Sequence, residues 1–253
     1  MVRCMAIVDR MQWGASDWQY ADLYMPEEDS EFDKGHGVPC VMLIHGGFWK
    51  QKFDSSLMKP IAEDLADAGI AAWNIEFKRW SPEDTGVWME TISDVLRAWG
   101  QLALLPGIDM TRSMIMGHSA GGHLALMLAS KAETKPWLTI AQSPICDLFS
   151  ADSDRLSDEG DAIRKWIGSE PMENEGVWKI LNPIDNPPKT AVLLAHGKDD
   201  ADVPISQSET YYRVMKAKDC DIQKLWLNGD HYSVIDVASD DWLIILNAIQ
   251  DWL

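Results

Sequence analysis

From residue 38 to the C-terminus, apolar runs of strand length alternate with longer segments whose apolar residues recur three and four apart. Residues 38–45 (VPCVMLIH), 70–77 (IAAWNIEF), 113–117 (SMIMG), 138–143 and 191–195 read as buried strands, and residues 222–227 as the last one. Between them, residues 57–68, 87–105 and 120–130 carry the period of helices packed on a sheet by one face, and residues 242–252 make a final helix. Strands joined through helices pair in parallel, because a parallel connection needs a crossover long enough to return the chain to the same end of the sheet. The expected class is therefore α/β, with a mostly parallel central sheet and helices on both faces.

Residues 148–188 break this alternation, being rich in Asp, Glu, Ser, Asn and Pro with one amphipathic piece at 161–167. They are expected either as a short cap inserted over the carboxyl edge of the sheet or as a solvated connection. With 253 residues the chain can build one sizeable core, so one domain spanning 1–253 is expected.

Charge narrows the partners. Forty acidic against 22 basic residues give a formal net charge of -18 and leave no Lys/Arg stripe for phosphates, so nucleic acid is not an expected partner. No run of about 18 apolar residues suggests a membrane span, and residues 1–17 carry Arg3, Asp9, Arg10 and Asp17 where a secretory signal would be apolar. A cytoplasmic location is expected. Cys4, Cys40, Cys146 and Cys220 have no CxxC or metal-ligand spacing and read as buried free thiols, with no metal site and no cofactor called for.

The strongest local signal is Gly117-His118-Ser119-Ala120-Gly121, a GxSxG lying between a strand and a helix. A sharp strand-to-helix turn forces its central residue into a strained conformation, and the flanking glycines remove side chains that would collide. Ser119 would then raise its hydroxyl above the sheet as a nucleophile. A hydroxyl is weak at neutral pH and needs a base, which in turn needs an acid to fix its tautomer. Of His36, His45, His118, His123, His196 and His231, only His196 and His231 follow the nucleophile's helix near the ends of later strands. His196 terminates its strand directly, whereas His231 lies in a loop free to reach the site and is the expected base. For the acid, Asp199, Asp200 and Asp202 crowd one loop, and periodicity does not separate them.

HGGFW (45–49), WNIEFKRW (73–80), GHSAGGHLAL, HGKDDADVP (196–204) and GDHY together resemble the bacterial esterase and arylformamidase (kynurenine formamidase) branch of the α/β hydrolases, over most of the chain from Val38 to His231. The resemblance implies the α/β-hydrolase fold and the chain order Ser, Asp, His. In its HGxxDxxVP segment the Asp before xxVP is catalytic, which picks Asp200, with Asp202 the fallback and Asp199 a turn cap. HGGFW is similar to the HGG-type oxyanion loop, which implies backbone N–H donors at Gly47 and Phe48 alongside Ala120. Phe48 stands where HGGG esterases carry a third glycine, which disfavours bulky tertiary esters. The substrate implied is a small-molecule ester or amide of a small acyl group, and a homodimer is allowed for.

Thirteen tryptophans are many for this length, and Trp49, Trp80, Trp88 and Trp166 are expected to face the pocket. Two rivals stand beside this reading. A serine peptidase of the prolyl-oligopeptidase kind shares the GxSxGG and DxxVP-like features, but the expected single domain has no propeller-length segment before it. A ligand-binding protein on the same fold would need neither the three expected catalytic residues nor the oxyanion loop.

Overall fold

The computed structural model describes residues 7–26 and 30–253, with Ile7 and Val8 as backbone only. The strands are β1 (Ile7–Gln12), β2 (Tyr20–Met25), β3 (Cys40–Ile44), β4 (Ala71–Ile75), β5 (Met114–His118), β6 (Leu138–Gln142), β7 (Ala191–Gly197) and β8 (Ile222–Leu227). They form one eight-stranded sheet ordered β1-β2-β4-β3-β5-β6-β7-β8. From β4 through β8 every pairing is parallel, while β1–β2 and β2–β4 are antiparallel.

Residues along the central strands alternate between two apolar layers. Met42 and Ile44 of β3 join Val95, Ala98 and Trp99 of α2 (Trp88–Leu102) and Leu124 and Leu128 of α3 (Ala120–Lys131). Val41 and Leu43, on the other face, join Ile61 and Leu65 of α1 (Lys59–Asp67) and Trp242, Ile245 and Ile249 of α8 (Asp240–Asp251). Coverage of both faces explains why β3 to β6 are buried at every position. The expected mostly parallel sheet with helices on both faces is what forms. Among the described residues no helix is long and apolar enough to cross a membrane.

Three parts of the fold carried no strong sequence signal. In the antiparallel pair β1–β2 at one edge of the sheet, Arg10 lies directly opposite Asp22, bonding it through Nε (2.7 Å) and Nη2 (2.8 Å). Helix α7 (Ser206–Ala217) is mostly hydrophilic and buries little beyond Gln207, Ser208, Tyr211 and Met215. The 148–188 segment folds into α4 (Leu148–Ser153), α5 (Ala162–Ile167) and α6 (Glu175–Leu181). Asp147 and Asn174 cap the first and last of these by accepting from backbone N–H groups. Ala151, Ile163, Trp166, Trp178 and Leu181 anchor the segment in the core.

Cys40 and Cys146 are buried thiols pushed above their ordinary range by burial. Cys220 is only half-buried, because it lies in the turn after α7 beside Lys218 and Asp219. Cys4 lies outside the described residues.

Candidate active site

Ser119 occupies the junction of β5 and α3 with φ 56° and ψ -119°, a conformation rarely adopted by a residue with a side chain. Close approach of three backbone segments enforces it. A Cβ on Gly117 would stand 2.1 Å from the Gly121 carbonyl oxygen, and one on Gly121 would stand 2.1 Å from that of Ile44 at the end of β3. The turn is tied down where Ser119 N donates to Gln142 O (2.8 Å) and His123 N donates to Ser119 O (3.0 Å). Ala120 is the first residue of α3, so its N–H has no partner within the helix.

Beyond β3 the chain turns through three consecutive left-handed residues, Gly47 (φ 101°), Phe48 (φ 51°) and Trp49 (φ 54°). Trp80 holds this loop from the far side: its indole donates to Phe48 O (2.9 Å) and its backbone N to Trp49 O (2.9 Å). A Cβ on Gly46 would come within 3.0 Å of Ser119 Cβ, so the loop lies directly against the serine turn.

The ends of β7 and β8 bring the other two expected residues together. A Cβ on Gly197 would stand 2.3 Å from Gly229 O, an approach that only a glycine permits and that draws the two loops into contact. Asp241 of α8 anchors the second loop by accepting from Gly229 N (2.9 Å) and Ser233 Oγ (2.6 Å). His231 Nδ1 meets Asp200 Oδ2 at 2.7 Å, both residues being buried. Asp200 Oδ1 accepts from the N–H groups of Asp202 (3.0 Å) and Val203 (2.8 Å). Burial pushes the Asp200 carboxyl up, but the hydrogen bonds from His196 and His231 outweigh it and hold the group below the usual carboxylate range. An ionised Asp200 accepts only, so His231 Nδ1 donates to it, and the tautomer that this selects for a neutral ring has Nε2 as the acceptor. Asp202, the fallback for the acid, and Asp199, the expected turn cap, are exposed.

His118 joins the two halves. Its Nε2 donates to His231 O (2.8 Å) and its ring lies 4.6 Å from that of His231, so the loop of His231 is bonded to the residue before Ser119. Burial, and then the nearby charge of His231, push His118 down to about 3, which keeps it neutral. Among the described residues, Ser119 Oγ makes no hydrogen bond to His231. Such contacts are commonly loose without substrate and tighten when it binds.

His196 contacts the acid from its other side, with Nε2 2.9 Å from Val203 O and 3.2 Å from Asp200 Oδ2. It was legible only as an alternative base, and its burial behind Asp200 makes it a support for the carboxylate instead.

The tryptophans expected to face a pocket sit deeper than that. Trp49 and Trp166 stack at 4.4 Å with His123 edge-on to both, and Trp166 Nε1 donates to Thr91 Oγ1 (3.0 Å). Trp166 is 0% exposed and Trp49 1%, so they fasten α5 to the HGGFW loop rather than present an open wall. Trp80 is buried, and Trp88 is half-buried against the same core. Among the described residues no group of three or more His, Cys, Asp or Glu side chains is arranged to hold a metal ion.

Solved structures share the fold of this chain. An esterase B from Lactobacillus rhamnosis covers 100% of this chain, and 87% of its own, at TM-score 0.80 and 19% identity. A truncated carbohydrate esterase from gut microbiota covers 100% of this chain and 98% of its own at TM-score 0.80 and 18% identity. An acylaminoacyl peptidase covers 98% of this chain and 41% of its own at TM-score 0.77 and 20% identity. The fold is thus that of the α/β hydrolases. Among curated proteins, the acylamino-acid-releasing enzyme of Sus scrofa is 24% identical over 97% of this chain, and that of Rattus norvegicus 26% over 88%. The chain spans about a third of the length of these relatives (34% and 32%). The BD-FAE family model matches residues 21–215, and the chain belongs to that family.

Proposed function

We propose that the protein is a serine hydrolase that cleaves an ester or amide of a small acyl group. The observation that carries this reading is the buried Asp200–His231 bond of 2.7 Å, tied through His118 to the left-handed turn of Ser119. In the proposed reaction Ser119 Oγ attacks the substrate carbonyl carbon while His231 Nε2 takes the hydroxyl proton. The imidazolium so formed is stabilised by Asp200, and the negative oxygen by the N–H groups of Gly47, Phe48 and Ala120. The imidazolium then protonates the leaving alcohol or amine, leaving an acyl-serine. Water, giving its proton to His231, attacks that ester, and the tetrahedral intermediate collapses to acid and free Ser119.

Phe48 beside the scissile carbonyl favours formyl and acetyl groups over longer acyl chains. On the likeness of HGGFW to the loop of arylformamidases, an N-formyl aryl amide is the finer substrate proposed. A second reading, release of an N-acylated amino acid, is favoured by the alignment of nearly the whole chain with acylamino-acid-releasing enzymes. Assaying wild type and Ser119→Ala on p-nitrophenyl acetate, N-formylkynurenine and N-acetyl-alanine p-nitroanilide tests both. The N-formyl amide and the acetate should be the better substrates, and exclusive turnover of the anilide would move the assignment to the second reading. Absence of Ser119-dependent turnover on all three would remove the hydrolase proposal.

A further inference from the structure

A second set of buried charged groups lies beneath the HGGFW loop, and the proposed reaction does not use it. His45, 0% exposed, points Nδ1 at Gly46 O (2.8 Å) and Nε2 at Glu76 Oε1 (3.0 Å). Glu76, also buried, accepts from Ser55 N (3.0 Å) and Phe77 N (2.9 Å). Arg79 Nε stands 3.2 Å from the same Oε1 as an ion pair rather than an aligned hydrogen bond. Burial pushes the Glu76 carboxyl up, but His45 and Arg79 outweigh it and hold the group below its ordinary value. Both partners of the His45 ring are therefore acceptors only: a carbonyl oxygen and an ionised carboxylate. For both contacts to be hydrogen bonds, each ring nitrogen must carry a proton.

The Gly46 carbonyl and the Gly47 N–H belong to one trans peptide unit, so they point in opposite directions. Fixing the carbonyl on His45 therefore fixes the Gly47 N–H as well, pointing away from His45, while Gly46 itself packs on Ser119. The same network supports the next residue. Arg79 donates to Phe53 O, and the Phe53 ring fills the space beside Gly47, where a Cβ would stand 2.4 Å from it. Glu76 and Arg79 both lie within the WNIEFKRW stretch, which neither catalysis nor binding otherwise explains.

We propose that His45, protonated on both nitrogens and clamped between Glu76 and the Gly46 carbonyl, is the positioning residue that aims the oxyanion donor of Gly47. This rests on the serine-hydrolase reading for its kinetic consequence, and for the protonation of the ring on its two contacts with Gly46 O and the ionised Glu76.

Two near-isosteric substitutions separate the two bonds. In His45→Gln the amide nitrogen replaces Nε2 and keeps Glu76, while the bond to Gly46 is lost. In His45→Asn it replaces Nδ1 and keeps Gly46. Measured on p-nitrophenyl acetate, His45→Gln should lose about 100-fold in kcat with KM changed by no more than about twofold. Its affinity for a methyl trifluoromethyl ketone, whose adduct with Ser119 places an oxyanion in the hole, should fall by a similar factor. His45→Asn should keep kcat within about tenfold of wild type despite the lower Tm expected from an unpaired Glu76. Equal kcat losses in the two variants, or losses that follow Tm rather than ketone affinity, would overturn the positioning role. Independently of activity, imidazole N–H NMR spectra of wild type and Ser119→Ala should show two protons on His45, and a single one would overturn the proposal. A doubly protonated His45 in a wild type that turns over nothing would sink the hydrolase reading and the kinetic role together, leaving only the buried ion pair.

Discussion

The carboxylate of Asp200 lies between two histidines, 2.7 Å from His231 Nδ1 and 3.2 Å from His196 Nε2. Only His231 is in a loop bonded to the serine turn, whereas His196 is walled in by Val203 O and Ser208 Oγ. One acid is thereby held by a fixed ring and left to orient the other. Asp200→Asn should lower kcat by several orders of magnitude, because the amide favours the wrong His231 tautomer. Asp202→Asn, at an exposed position whose backbone N–H still serves Asp200, should change kcat by less than about tenfold. Steady-state kinetics of the two variants decide the assignment, and the reverse ranking would transfer the role to Asp202.

Acid should unfold the protein through its buried histidines. Burial lowers His118 to about 3 and His123 to about 4, both below the ordinary 6.5. The unfolded chain thus binds more protons between those values, and stability falls as pH drops from about 6.5 toward 4. Each pKa unit of depression corresponds to about 1.4 kcal/mol. His123→Gln, which keeps a donor for Leu181 O, should flatten the fall of Tm over pH 6.5–4. An unchanged slope would show that His123 is not one of the groups responsible.

Glycines should divide by what stands beside them. Gly117→Ala puts a Cβ 2.1 Å from a backbone oxygen and should prevent soluble folding. Gly100→Ala, in α2 with nothing within 4 Å, should stabilise by about 0.5–1 kcal/mol. Thermal melts of the two proteins test the comparison.

Acyl length should matter steeply. With Phe48 beside the donors, kcat/KM should fall from p-nitrophenyl acetate through butyrate to octanoate, since an unburied methylene forfeits about 0.8 kcal/mol and a clashing one more. A maximum at octanoate would mean a channel that the loop does not close.

The sheet was legible because burial on both faces writes uninterrupted apolar runs, as in Cys40–Ile44 and Met114–His118. The edge pair β1–β2 was not, since its stability comes from cross-strand partners such as Arg10 and Asp22 that no local pattern connects. Ser119 announced itself through glycines required by close backbone approach. The depth of Trp49 and Trp166 could not be read, because a stacking partner more than a hundred positions away decides whether an indole lines a cleft or fills a core. His45 and Glu76 stand in the HGGFW and WNIEFKRW stretches, yet their pairing appears only where β3 and β4 run side by side.

The central claim is that Ser119 is an activated nucleophile, and intact-protein mass spectrometry after incubation with a fluorophosphonate tests it most directly. One adduct per chain, mapped to the Ser119 peptide and absent from both Ser119→Ala and acid-unfolded protein, is the predicted result. An unmodified wild type, or an adduct that persists in Ser119→Ala, would contradict it.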